Sequence, residues 1–373
     1  MFQRGPLPRR DLWLLPLISI LTVLLLFIVT ETGTRILYPE QVKNACQASD
    51  PAMEGRYLPN CTAMTKLAEG PWVTNSYNEC GYRSSQPCGP VPPGTRRIAV
   101  IGTSLSEGYM VPYQQTAAAI LAADLTTKCH APVEVQNLGA LSQGGEHLVS
   151  QMEAALRLEP QAVLMLFGPH DLQTPAGAEN VAPTAAPVIQ NSLQHRVWTL
   201  LKTSRAAVVL QSLIFRNASL YASVYLRYQD QADFLRTPLS AAWRQRLSWF
   251  DLIMGRMAGK AQAAKVPLVF AYIPLEAQAA LLQQHNLPSD VNISQFSNEI
   301  AQLTARHGII YLDTTTEFRD LADPMKVFYH VDTHLTGDGY SVIAATLAEQ
   351  LTKSALSFAN CNDNEQLSKA ARR

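Results

Sequence analysis

The sequence has no surplus charge of either sign: 30 Lys and Arg stand against 30 Asp and Glu over 373 residues. Such a chain has no long-range field to recruit nucleic acid, and no local run of Lys and Arg compensates. Partners are expected among small molecules, neutral polymers and envelope proteins, with no nucleic acid. No C-x-x-C pair occurs among Cys46, Cys61, Cys80, Cys88, Cys129 and Cys361, so zinc-site and thioredoxin-like chemistry lack a starting point. No small-x-small cleavage site follows the long apolar run near the N-terminus, which speaks against a removed leader.

That run, LWLLPLISILTVLLLFIVT at 12–30, is nineteen residues without a charge. As a helix it spans about 28 Å, close to the hydrocarbon thickness of a bilayer. Arg4, Arg9 and Arg10 precede it. Basic flanks stay inside, so everything after Glu31 is expected beyond the inner (cytoplasmic) membrane, in the periplasm or outside. A cleaved signal peptide is the competing reading. An oxidising compartment suits disulfides. The most local pairing is Cys46–Cys61, Cys80–Cys88 and Cys129–Cys361, one of many that six cysteines allow.

Four regions follow from the pattern. Residues 1–30 form a cytoplasmic tip and transmembrane anchor. Residues 31–95, rich in Pro, Cys, Asn and Gly, form a disulfide-braced stalk or cap. Residues 96–355 form the main domain and 356–373 a C-terminal tail. In the main domain, apolar runs at 97–102 (RIAVIG), 133–138, 162–167 (AVLMLF), 266–273 (VPLVFAYI) and 309–312 predict buried parallel strands. Helical patterns at 116–127, 147–158, 294–307 and 339–351 alternate with them. A helical insertion at 172–265, patterned over 196–228 and 241–264, interrupts the rhythm. The fold class is α/β: a flavodoxin-like three-layer sandwich of about five parallel strands, with an N-terminal transmembrane helix and a helical insertion. Chemistry in such folds gathers in loops at the C-terminal strand ends. Here those are 102–108, 139–145, 168–171 and the loop before the last helix.

Ser104 sits directly after the first strand, where a hydroxyl projects above the sheet and helix-start amides can receive negative charge. A serine needs a base to become a nucleophile; a simple N-cap is the competing role. The last loop, YHVDTHLTGDGY at 329–340, supplies candidates. His334 suits a proton acceptor near neutral pH, and Asp332 can fix its tautomer. His330, Asp332 and His334 as metal ligands is the alternative, but no further ligand cluster accompanies them.

These blocks resemble the GDSL/SGNH hydrolase family, especially its bacterial membrane-anchored extracytoplasmic members, over roughly residues 75–351. The carrying segments are Asn75-Ser76 through Gly81-Tyr82-Arg83, IAVIGTSLSEGYMV at 98–111, VQNLGALSQGG at 135–145, VLMLFGPHDL at 163–172 and DTHLTGDG at 332–339. The resemblance implies a catalytic triad of Ser104, His334 and Asp332. It implies an oxyanion hole from the Ser104 and Ser142 amides with the His170 side chain, supported by Asp171, Thr103 and Gly139. Three departures stand out: Thr103 for an Asp, Ser142 for a Gly, and His170 for the Asn of G-x-N-D. An imidazole N–H can replace the Asn donor, more strongly if protonated; a pocket specialised away from hydrolysis is the competing reading.

The expected activity is a serine esterase or O-acyltransferase working through an acyl-enzyme, without metal or organic cofactor. Acyl, most plausibly acetyl, esters of an envelope or exported polysaccharide are the implied substrate class. Transfer would need an acyl donor delivered by a membrane partner. A non-catalytic glycan-binding or assembly protein on a degenerate SGNH fold is the alternative.

Overall fold

The computed structural model describes residues 10–47, 57–141, 145–172, 204–228, 232–284 and 286–353. Helix α1 (Asp11–Leu37) carries the apolar run and continues past Thr30 through Glu31. Over Trp13–Leu37 it is long and apolar enough to cross a membrane, and its apolar window is unburied; a signal sequence has the same length and composition.

The 31–95 segment, expected as a disulfide-braced stalk or cap, contains a three-stranded antiparallel sheet: β1 (Gln41–Lys43), β2 (Thr62–Lys66) and β3 (Trp72–Ser76). The disulfides Cys46–Cys61 and Cys80–Cys88 brace it. Cys129 is also disulfide-bonded, while its expected partner Cys361, with the 356–373 tail, lies outside the described residues. Among the described residues the cap's apolar core is small. Cys46, Tyr57, Ala63 and Tyr77 bury themselves with Ala140 of the main domain. A sheet this small is not stable alone; the disulfides and the surface beneath it complete it.

From here strands and helices alternate: β4 (Arg96–Gly102), α2 (Ser104–Glu107), α3 (Ala117–Cys129), β5 (Val133–Asn137), α4 (Glu146–Leu156) and β6 (Ala162–Phe167). The helical insertion contributes α5 (Arg205–Ile214), α6 (Ala218–Tyr228) and α7 (Ala241–Ala264). The last of these is the crossover into β7 (Leu268–Tyr272). Then come α8 (Glu276–Leu282), α9 (Gln295–Arg306), β8 (Ile310–Asp313), α10 (Thr315–Arg319) and α11 (Gly337–Lys353). The sheet is parallel in the order β5-β4-β6-β7-β8, the flavodoxin-like arrangement.

Strand parity explains why these strands are apolar throughout. Ala99, Ile101, Val163, Met165, Phe167, Phe270 and Tyr272 face one way, onto α4, α7 and α9 through Met152, Trp243, Phe250 and Phe296. Ile98, Val100, Leu164, Leu166, Val269 and Ala271 face the other, onto α3 and α11 through Leu121, Leu125, Ile343 and Leu347. Each large side chain buried this way contributes roughly 1.5–3 kcal/mol. The two cores hold the sheet rigid and leave its C-terminal edge to the loops.

Candidate active site

β4 ends on Gly102, whose φ of 133° no side chain tolerates well; a Cβ there would lie 2.3 Å from Ser106 Oγ. The chain turns into α2, a helix too short to hold itself. Ser106 Oγ therefore donates to the Ile101 carbonyl at 2.6 Å, and Asn137 Nδ2 reaches the Ser106 carbonyl at 2.9 Å. Arg83, 1% exposed, donates to the carbonyls of Glu107, Gly108 and Val111. Gly139 permits the second loop to press against α2: a Cβ there would meet the Glu107 amide at 2.4 Å. Its own N–H is held by Asn137 Oδ1 at 2.9 Å, which makes Gly139 a structural neighbour of the site.

Ser104 is the first residue of α2, and the N-cap is Thr103, so the cap role considered for Ser104 is not the one it has. Its hydroxyl lies 2.7 Å from His334 Nε2, although 230 residues separate the two. His334 Nδ1 lies 2.5 Å from Asp332 Oδ1. With Nδ1–H donated to the carboxylate, Nε2 is left to accept the serine proton. The turn between them is strained: Thr333 has φ of 70°, costly for a β-branched residue. It is closed by Thr333 N–H to the Tyr329 carbonyl at 2.7 Å and Tyr329 N–H to the His334 carbonyl at 2.9 Å. The Tyr109 ring meets the His334 ring edge-on, centroids 5.1 Å apart.

At the end of β6, His170 and Asp171 lie on a single 3-10 turn. Asp171 accepts from the Thr103 hydroxyl and, at 2.7 Å, from the Gly168 amide. Thr103, standing where the family keeps an acid, thus ties the first loop to the third. Burial pushes the Asp171 carboxyl up to about 6, against the pull of those two bonds. One side of His170 is open to solvent. Crowding by protein, then the charges of His334 and Arg246, push its pKa down to about 4. At neutral pH His170 is therefore neutral and offers one N–H, the uncharged form of the imidazole donor considered from the sequence. Ser142 lies outside the described residues.

His330, grouped with His334 in the sequence, faces elsewhere. Its Nδ1 is 2.7 Å from Glu276 Oε1, a carboxyl with no exposure that burial pushes up to about 7. The H-x-D-x-H residues therefore diverge to different partners. Sequence reasoning missed Glu276, and it missed Glu107, whose carboxyl is buried three residues beyond Ser104 and accepts from Tyr77 at 3.1 Å. Burial raises its pKa, opposed by Arg83 and the hydroxyls of Tyr57 and Tyr77. Arg83 carried a signal, since it closes the Asn75-Ser76 through Gly81-Tyr82-Arg83 segment that resembles the family, but its task was not readable from that segment.

The five-stranded parallel sheet thus brings a serine at its first strand end against a His–Asp pair that precedes its last helix. The family model of the GDSL-like lipase/acylhydrolase family matches residues 100–342, and the chain belongs to that family. Membership supports an esterase, lipase or acylhydrolase activity. Among solved structures, the chain is similar to a lipolytic G-D-S-L protein of Desulfitobacterium hafniense (16% identity, 68% of this chain and 98% of that one, TM-score 0.36). It is also similar to a lipase/acylhydrolase of Enterococcus faecalis (11%, 68% and 94%, 0.39) and to the esterase EstA of a Pseudoalteromonas species (12%, 69% and 97%, 0.38). No curated protein matches the sequence.

Proposed function

We propose that the chain is a membrane-tethered serine esterase or O-acyltransferase acting on acyl esters of an envelope or exported polysaccharide. The observation that carries the proposal is the unbroken line of hydrogen bonds from Ser104 Oγ through His334 to Asp332. Ser104 Oγ attacks the ester carbonyl while His334 Nε2 takes its proton, and Asp332 holds the imidazole tautomer and stabilises the imidazolium. The amides of Ser104 and Ser142, with neutral His170, receive the negative charge on the tetrahedral oxygen. His334 returns its proton to the leaving alcohol. The acyl-enzyme then passes its acyl group to water, or to a sugar hydroxyl that outcompetes water. No step draws on a metal or organic cofactor.

α1 and the basic residues before it support an inner-membrane localisation with the N-terminus inside and the catalytic domain in the periplasm or outside. The disulfides agree with an oxidising compartment. A transferase would take its acyl group from a membrane partner on that side. Burst release from p-nitrophenyl acetate tests the mechanism: wild type gives a burst, and Ser104→Ala does not. A folded wild type without any Ser104-dependent release would instead favour a glycan-binding role.

A further inference from the structure

The base loop is not held by its own domain alone. The loop between β2 and β3 in the disulfide-braced cap reaches over it. Glu69 Oε2 accepts from two successive backbone amides, Val331 N–H at 2.8 Å and Asp332 N–H at 2.9 Å, across more than 260 residues of sequence. The hairpin tip is itself fixed, because Lys66 Nζ donates to the carbonyls of Leu67 and Gly70, both at 2.8 Å. The Tyr329 ring lies over Gly70, where even a Cβ would come within 3.3 Å of its hydroxyl oxygen.

We infer that Glu69 is a positioning residue for the reaction: its carboxylate clamps the strained turn that sets Asp332 and His334 against Ser104. The inference rests on the acyl-enzyme reading above and extends it to the cap. The physical need is specific. Thr333, between acid and base, sits at a φ of 70°. A lone β-branched residue leaves that region unless its surroundings over-determine it. The turn's inward bonds fix its ends at Tyr329, Thr333 and His334. Glu69 fixes the outward amides of its middle, and bonds to an ionised acceptor are roughly twice as strong as neutral ones. Without the carboxylate, the backbone of Asp332 loses its anchor. The Asp332–His334 distance then fluctuates, and displacements on the order of 1 Å cost about a hundredfold in rate. The cap thereby works on the catalytic turn itself, and is more than a spacer between membrane and enzyme.

The test uses the full chain in detergent with p-nitrophenyl acetate, comparing Glu69→Ala, Glu69→Gln and Val73→Ala with wild type. Val73 is buried in β3 and paired with Thr65 of β2, so Val73→Ala serves as the destabilised-cap control. The inference expects kcat to fall by about ten- to a hundredfold in Glu69→Ala with KM little changed. Glu69→Gln, which keeps an acceptor oxygen, should recover most of the loss. Val73→Ala should keep kcat while melting earlier. Hydrogen exchange at the Val331 and Asp332 amides should accelerate in Glu69→Ala only. Unchanged kcat and exchange in Glu69→Ala, or an equal kcat loss in Val73→Ala, overturns the inference. If wild type has no Ser104-dependent turnover, the acyl-enzyme reading fails separately, and the two amides decide the clamp by themselves: unaltered exchange in Glu69→Ala refutes it.

Discussion

Position 170 is where this chain departs furthest from its family's chemistry. An Asn side-chain amide has two N–H donors and a neutral imidazole one; either can aim one at the oxyanion, but only the imidazole can acquire a charge. Because crowding, His334 and Arg246 hold the His170 pKa down at about 4, the ring is neutral across the physiological range. Under the acyl-enzyme reading, His170→Ala removes one oxyanion donor and lowers kcat by about a hundred- to a thousandfold. His170→Asn retains activity within about tenfold of wild type, since a donor is restored. The sign of the pH effect follows from the same shift. A neutral donor gives a wild-type to His170→Ala ratio that is flat between about pH 6 and 8. A donor that worked as imidazolium would give a ratio that climbs as pH falls. Steady-state kinetics of the two variants across that range decide between them.

Short elements around the site are held by distant polar side chains, and here the sequence was least informative. The helices and strands of the main domain were legible because buried parallel strands are apolar on both faces, as in 97–102 and 162–167. The cap strands gave no such signal: TAMTK and WVTNS are short, half-exposed and polar, and the small core beside them holds the Cys46–Cys61 cystine and a pair of stacked tyrosines, Tyr57 and Tyr77, with centroids 4.0 Å apart. Helix α8 was missed because EAQAALL is buried almost throughout and lacks a polar face to give it a period. The triad candidates could be read because loop position and residue type converge on them. The partners of Arg83, Glu107 and Glu276 could not, because each depends on which buried polar group it meets after folding. Arg83 makes the energetic point. It is the sole side chain, among the described residues, that bonds the Glu107, Gly108 and Val111 carbonyls together. Arg83→Met keeps volume but removes three charge-assisted bonds, leaving Asn137 Nδ2 on the Glu107 carbonyl and Val111 N–H on the Gly108 carbonyl, and should cost about 1–3 kcal/mol in denaturant unfolding while slowing turnover through α2. A loss under about 1 kcal/mol would mean that other donors replace it.

Across the whole molecule, an apolar N-terminal helix, a disulfide-braced cap and a GDSL-like main domain follow one another along one chain. α1 extends to Leu37, beyond the uncharged run, and Glu31 within it accepts from Ser204 Oγ at 2.7 Å and from the amides of Arg205 and Ala206, capping α5. A cap supplied from within α1 ties the enzyme body to that helix. The protein isolated from membranes should therefore retain residues 1–30 by intact-mass measurement and resist extraction with alkaline carbonate. A mature chain beginning after the apolar run would instead identify the helix as a cleaved signal.

The central claim is that one serine carries the chemistry, and labelling with a fluorophosphonate tests it most directly. The account predicts a single adduct, mapped by peptide mass spectrometry to Ser104, lost in Ser104→Ala and strongly slowed in His334→Ala. An adduct on another residue, or none on folded protein across the neutral pH range, would contradict it.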